Sequence, residues 1–559
     1  MQTRVIPPAD GAYTFPLLIK HLLLSGSRYE KTREIVYRDL VRYSYPTLTE
    51  RIKRLANVLT AAGVQAGDTV AIMEWDSHRY LECMFAIPMI GAVAHTINVR
   101  LSPEQILFTM NHAEDKLVLV NSEFVPLYKA LSGQLTTVES TILLTDGTDK
   151  SAELPHLVGE YEQLLADASP DYSFPDFDEN SVATTFYTTG TTGNPKGVYF
   201  THRQLVLHTL AAATITGSID SVRLMGTDDV YMPITPMFHV HAWGIPYVAT
   251  MMGIKQVYPG RYEPDMLINL WRKEKVTFSH CVPTILQMLL NCKGGEGTDF
   301  GGWKVIIGGS ALNRGLYEAA KARGIQLTAA YGMSETCPLI SCAHFNEELQ
   351  AGSEDQRVVY RIKAGVPVPL VDAAIVDSDG NFLPADGETQ GELVLRAPWL
   401  SMGYFREPQK GAELWEGGWM HTGDVATLDG MGVIDIRDRI KDVIKTGGEW
   451  VSSLELEDLI SRHPAVREVA VIGIPDDKWG ERPFALLIPR EGQALDAQSL
   501  KQHLTPFVES GLISKWSVPS QIAVVSEIPK TSVGKLDKKR MRVEVAAWQA
   551  ANSPLLSSL

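Results

Sequence analysis

Three glycines, four threonines and one lysine fall within Tyr187-Thr188-Thr189-Gly190-Thr191-Thr192-Gly193-Asn194-Pro195-Lys196-Gly197-Val198. Glycine tolerates positive φ and lets the backbone approach a ligand closely. Threonine hydroxyls and free backbone N–H groups donate, and the lysine adds a full positive charge. Such a set suits a polyphosphate. It is not a Walker A loop, which needs Ser or Thr after its lysine, where this chain has Gly197 after Lys196. On composition alone the stretch also reads as a flexible Gly/Thr hairpin. A second cluster, Tyr331-Gly332-Met333-Ser334-Glu335-Thr336, puts an aromatic ring, a hydroxyl and a carboxylate into one short turn. These supply a stacking face, a phosphate donor and a Mg2+ ligand. Pro236-Met237-Phe238-His239-Val240-His241-Ala242-Trp243 reads on residue types as a core aromatic cluster with a satisfied histidine. His239 and His241 lack an acidic partner for a metal, and Cys337, Cys342 and His344 lack a second ligand pair.

The elements that must position these groups alternate between helix and strand. Leu48, Ile52, Leu55 and Leu59 repeat at helical spacing behind a Thr47-x-x-Glu50 capping-box pattern, and Gly63 is placed to end that helix. Asp68–Met73, Leu117–Val120 and Ile142–Leu144 read as buried strands. Residues 145–180 are polar and proline-dotted, a connector into the Gly/Thr loop. A second α/β region is expected over 181–360, with strands at Val230–Met232 and Val305–Ile307 whose carboxyl ends are where ligands bind. Short apolar runs among glycines (Ala373–Val376, Glu392–Leu395) suggest an antiparallel, barrel-like unit over 361–438. A small α+β unit is expected over 439–559, leaving 1–180 as the first α/β unit.

With 559 residues the chain is too long for one core, and length suggests about three to four domain-sized units. A formal charge of −15 argues against a general nucleic-acid binder. Five cysteines without CxxC fit reduced thiols in the cytoplasm. No signal peptide is evident, and no apolar run reaches the ~18 residues a membrane span needs.

Tyr187–Val198 resembles the phosphate loop of the adenylate-forming superfamily, which includes acyl-CoA synthetases, luciferases and nonribosomal-peptide adenylation domains. Later stretches resemble the family's other motifs in order: Gly308-Gly309-Ser310-Ala311-Leu312, Tyr331–Thr336, Trp419-Met420-His421-Thr422-Gly423-Asp424, Asp438–Trp450, Pro475–Pro483 and Pro529-Lys530-Thr531-Ser532-Val533-Gly534-Lys535. Ser334 stands where the family usually has threonine and keeps the hydroxyl. The resemblance covers about residue 30 to residue 545.

It implies a large N-terminal domain of two α/β sheet subdomains and a distorted β-barrel, followed by a small mobile α+β domain hinged at Lys441. It also implies site residues. Thr188, Thr189, Gly190, Thr191, Thr192, Gly193 and Lys196 would hold phosphates. Gly309, Ser310, Ala311, Tyr331, Gly332, Ser334, Asp424, Ile436 and Arg439 would hold the rest of the nucleotide, with Asp424 and Arg439 on ribose. Glu335, with Thr188, would take Mg2+. Lys535 would catalyse adenylation. His239, Trp243 and Gly332 would line the acyl pocket, with Trp243 as gate. Lys445, Gly447, Gly448, Glu449 and Trp450 would face CoA. The implied activity joins a medium- or long-chain fatty acid to CoA through acyl-AMP, with ATP, CoA and Mg2+. Rivals are a ligase for a short or sulfur-containing acid such as 3-methylthiopropionate, an acyl-AMP ligase feeding a carrier protein, a luciferase-like oxygenase and a non-catalytic nucleotide-binding protein. Related enzymes imply a homodimer through the N-terminal domain, and a fatty substrate arriving from a membrane leaves peripheral contact open.

Overall fold

A computed structural model describes residues 3–558 apart from 30, 148–152, 189–193, 220–222, 345, 447–448, 533 and 552–554. The buried runs read from the sequence form a parallel core. Leu117–Val120 lie in the strand Asp115–Asn121, fully buried, with Thr69–Met73 on one side and Ser140–Leu144 on the other. Strands covered on both faces read as continuous apolar runs, which is why these were visible. The whole sheet runs Leu157–Glu160, Ser140–Leu144, Asp115–Asn121, Thr69–Met73, Val93–Thr96, Val182–Thr188, Lys196–Thr201. Only its last pair is antiparallel, the hairpin that carries the Gly/Thr loop.

A nine-stranded sheet follows the order Val366–Pro367, Leu339–Cys342, Gln326–Gly332, Lys304–Ile307, Phe278–Cys281, Val230–Pro233, Lys255–Tyr258, Glu34–Tyr37, Val41–Ser44. Its centre is parallel and both ends turn antiparallel. The sheets therefore do not divide at residue 181. Strands Val182–Thr188 and Lys196–Thr201 close the first sheet, and strands Glu34–Tyr37 and Val41–Ser44 extend the second, Ile35 pairing with Gln256. The stretch 361–438 supplies a four-stranded antiparallel sheet, Asp372–Val376, Gly391–Arg396, Met420–Leu428 and Ile434–Arg439. Beyond it, a six-stranded sheet packs helices Ser453–Ser461 and Ala497–Glu509 on one face and Lys538–Ala550 on the other, each face with its own apolar cluster.

Two local expectations are corrected. The helix Tyr45–Ala61 does bury Leu48, Ile52, Leu55 and Leu59, but Ser44 is its N-cap and Pro46 lies in the first turn. Thr47 and Glu50 are already inside the helix, and Glu50 pairs with Arg54 four residues on. The connector 145–180 contains the edge strand Leu157–Glu160 and the helix Tyr161–Asp167. Tyr161 donates to the buried Glu82 at 2.6 Å, so polar contacts fix a segment that hydrophobic periodicity does not mark. Among the described residues no helix is long and apolar enough to cross a membrane.

Candidate active site

A cavity of about 1650 Å³ opens where the carboxyl ends of the nine-stranded sheet meet the four-stranded sheet and the C-terminal segment. Strand Lys304–Ile307 ends in Gly308-Gly309, and a methyl group on Gly309 would lie 3.1 Å from Cε of Lys535. Gly309 also has φ +79°, so it is glycine both for its backbone and for the lysine that crosses it. Ser310 and Ala311 line the cavity beside it.

Tyr331, the penultimate residue of strand Gln326–Gly332, donates its hydroxyl to Oδ2 of Asp424 at 2.6 Å. Asp424 stands opposite Arg439 on paired antiparallel strands, and its Oδ1 lies 3.4 Å from Nε of Arg439. Burial pushes the Asp424 carboxyl up, while Arg439 and Tyr331 pull it back. Ile436, on the same strand as Arg439, also lines the cavity. At Gly332 a methyl would fall 1.8 Å from the carbonyl oxygen of Pro338, so no other residue fits there.

The turn Ser334–Thr336 follows at once. Glu335 is buried, and its Oε1 accepts from the Tyr404 hydroxyl at 2.7 Å. The Tyr404 ring in turn lies under Lys196 Nζ, 4.4 Å from its centroid. Lys196 pairs with Thr188 across the hairpin, so both ends of the Gly/Thr loop face the Glu335 turn. Thr189, Gly190, Thr191, Thr192 and Gly193 lie outside the described residues.

Lys535 lines the same cavity, half-buried. Burial, reinforced by Arg439, pushes its ammonium down to about 8, against the pull of Asp424 and Glu335. His239 also lines the cavity, and burial together with the charge of Lys535 pushes its imidazole down to about 3. It is therefore neutral at ordinary pH, able to donate or accept one hydrogen bond but not to carry charge. Its segment is anchored from behind: Oδ1 of the buried Asp76 accepts from Met237 N–H at 2.9 Å, and Oδ2 accepts from Tyr262 at 2.6 Å.

After His239 the backbone does something unforeseen. Val240, His241, Ala242 and Trp243 all have left-handed φ, between 47° and 60°, before Gly244 at 73°. Each non-glycine residue in that conformation costs roughly 1–2 kcal/mol. The turn lays the Trp243 indole over Gly308, where a methyl would meet Cη2 at 3.2 Å, and 5.0 Å from the His280 ring. His241 is not a satisfied core histidine. It is fully buried beside Phe186 and Tyr247, with no hydrogen-bond partner on either ring nitrogen.

Lys441 lies in the turn after strand Ile434–Arg439, where its carbonyl accepts from Arg542 at 3.5 Å. Lys445 and Trp450 pair across the next hairpin, the lysine 5.8 Å from the ring centroid. Trp450 is 56% exposed, and neither residue lines the cavity that holds Lys535. Gly447 and Gly448 lie outside the described residues, as does the side chain of Glu449. No group of three His, Cys, Asp or Glu side chains among the described residues is arranged to hold a metal, Cys337, Cys342 and His344 included. Tyr404 and Asp76 escaped sequence reasoning because each is an ordinary residue type acting on a partner 69 or 161 positions away.

The sequence model described as AMP-binding enzyme matches residues 25–405, and that described as AMP-binding enzyme C-terminal domain matches 455–535. The chain is 39% identical over 517 residues to a long-chain-fatty-acid–CoA ligase of Thermus thermophilus, covering 91% of this chain and 92% of the other. It is 38% identical over 542 residues to a 3-methylmercaptopropionyl-CoA ligase of Ruegeria lacuscaerulensis, covering 95% and 98%. Among solved structures, an anthranilate CoA ligase in complex with anthranoyl-AMP superposes with a TM-score of 0.83 at 21% identity, over 96% of this chain and 99% of that one.

Proposed function

The chain belongs to the AMP-binding enzyme family and is an AMP-forming acyl-CoA ligase, and we propose that the acid it activates is a medium- or long-chain fatty acid. Trp243 carries this reading. Its large apolar side chain stands on a turn of strained backbone, packed against Gly308 and the His280 ring and outside the cavity lining, so a long apolar chain would gain room if the indole swung away from Gly308. The relative at 39% identity is named for long-chain acids. The relative at 38% is named for a short sulfur-containing acid, which favours the second reading, a ligase for 3-methylmercaptopropionate or a similarly short substrate.

In the first half-reaction a carboxylate oxygen attacks the α-phosphorus of ATP, forming acyl-AMP and expelling pyrophosphate. In the second, the CoA thiolate attacks the acyl carbon and AMP leaves. The first step brings two anions together, so fixed positive charge and donors decide its rate. Lys535 lines the cavity together with Asp424, Arg439 and Glu335 and would touch carboxylate and phosphate together. Asp424 and Arg439 hold the ribose, Tyr331 gives a face to adenine, and Thr188 and Lys196 bracket the loop that takes the outer phosphates. One buried carboxylate and a nearby threonine hydroxyl suit Mg2+, a hard cation that fills its remaining positions with waters and substrate phosphate oxygens. Glu335 and Thr188 would hold it, and it would neutralise the phosphates. For the second half-reaction the C-terminal unit turns about Lys441, withdrawing Lys535 and bringing in Lys445, Gly447, Gly448, Glu449 and Trp450.

The test is pyrophosphate and AMP release with ATP, Mg2+ and CoA across straight-chain acids of increasing length and 3-methylthiopropionate. A maximum at medium or long chains supports the proposal. A maximum at the shortest acids transfers the enzyme to the second reading.

A further inference from the structure

Lys535 sits on a loop of the C-terminal unit, yet its partners for reaction belong to the large N-terminal part. What holds the loop there is visible outside the reacting groups. Within itself the loop is a closed turn: Thr531 N–H donates to the Lys535 carbonyl at 2.7 Å, and Gly534 N–H to the Thr531 carbonyl at 2.9 Å. A folded loop of this kind moves as one body. Three hydrogen bonds then fasten it to the N-terminal part. Asn98 Nδ2 donates to Ser532 Oγ at 3.1 Å, Arg100 Nη1 to the Ser532 carbonyl at 3.3 Å, and Thr284 Oγ1 to the Gly534 carbonyl at 2.7 Å.

Their origins matter. Asn98 and Arg100 follow strand Val93–Thr96 of the seven-stranded sheet, while Thr284 opens helix Pro283–Asn291 behind strand Phe278–Cys281 of the nine-stranded sheet. The loop therefore bridges the two sheets. The fit leaves no slack, since Gly534 has φ +82° and a methyl there would lie 3.2 Å from Thr284 Oγ1. Asn98 is nearly buried and its own Oδ1 accepts from Arg100 N–H at 3.1 Å, which orients its amide toward Ser532.

We propose that Thr284, with Asn98 and Arg100, forms a receptor for the Lys535 loop that positions the lysine for adenylation and sets how the enzyme divides its time between the two half-reactions. The proposal rests on the two-step reading above. These bonds exist with the loop docked and are broken when it withdraws. A contact made in one conformation alone shifts the balance by its own free energy. None of the three side chains needs to touch substrate, so they are positioning residues.

The test separates the half-reactions in the full-length protein. Pyrophosphate release with ATP, Mg2+ and the preferred acid reports adenylation, and thioester formation from supplied acyl-AMP and CoA reports the second step. Thr284→Val keeps the shape and removes the hydroxyl. It should slow adenylation about threefold to tenfold, the worth of one ordinary hydrogen bond, and leave thioester formation equal to or faster than that of the unaltered enzyme. Thr284→Ser should restore adenylation. Ser532→Ala, a small change on the loop side, should act in the same direction should Thr284→Val fail to fold. Unchanged adenylation, or an equal fall in both steps, overturns the receptor. If the unaltered enzyme performs neither step, the two-step reading itself fails, a different result from a variant that merely keeps the normal ratio.

Discussion

At Lys535 burial and charge oppose one another. Removal from water, together with the Arg439 guanidinium, lowers the ammonium to about 8, while Asp424 and Glu335 limit the fall. The lysine is useful only when charged, because a neutral amine cannot offset two meeting anions. Its folded value lies below that of free lysine, so charge is present below about pH 8 and is lost as pH rises through it. The expected outcome is that kcat/KM for ATP in pyrophosphate release is level near neutrality and drops about tenfold per unit well above pH 8, since this ratio reports the free enzyme. A profile level to pH 10 would mean that another cation does the work. Lys535→Ala should lower adenylation by ~10²–10³ while sparing thioester formation from supplied acyl-AMP. Residues of this kind were reached through the resemblance of short motifs, since by residue type alone Lys535 reads as one member of a solvated basic run with Lys538, Lys539 and Arg540. Tyr404 was not: one tyrosine among 19, it matters through its 2.7 Å bond to Glu335 and its ring under Lys196.

Among elements, the turn at Val240–Trp243 stands apart. Left-handed backbone is ordinarily written with glycine, and here only Gly244 follows that rule. Valine, histidine, alanine and tryptophan give no local signal for such a turn, so the sequence predicted the aromatic cluster and missed the conformation that aims it. The parallel strands show the opposite case, where apolar runs such as Leu117–Val120 stated both element and burial in advance. Ala242 offers a direct measure of the strain. It has φ 47° and is fully buried, and glycine adopts that conformation at no steric cost. Ala242→Gly loses one small methyl and relieves about 1 kcal/mol of strain, offset in part by the greater freedom of glycine in the unfolded chain. The expected result is a thermal midpoint equal to or slightly above the parent's, where an Ala→Gly change in ordinary helix costs roughly 1 kcal/mol. A clear fall in the midpoint would show that the turn is not strained.

For the whole molecule, the decisive relation is between the strand ends of the N-terminal part and a C-terminal unit that closes the same cavity and delivers the lysine. Sequence order suggested units divided at residue 181, but pairing ignores that order: Ile35 lies beside Gln256, and Thr184 beside Ala94. Such partners are set by three-dimensional closure of the sheets and leave no mark in local spacing. What the family resemblance implies is a turn at Lys441 that would serve the second half-reaction. Strand Ile434–Arg439 belongs to the four-stranded sheet and Ile444–Thr446 to the six-stranded one, so residues 440–443 are the covalent link between the sheets. Any rotation of one against the other must be absorbed in the φ and ψ of those few residues. Proline fixes φ near −65° and so removes one of these freedoms. Lys441→Pro should therefore release pyrophosphate from ATP and the preferred acid at a rate within a few-fold of the parent's. Thioester formation should fall by far more, with acyl-AMP accumulating on the enzyme. Quench and chromatography of a single turnover distinguish the cases. Accumulated acyl-AMP places the pivot at Lys441, and an equal loss of both steps removes it from that position.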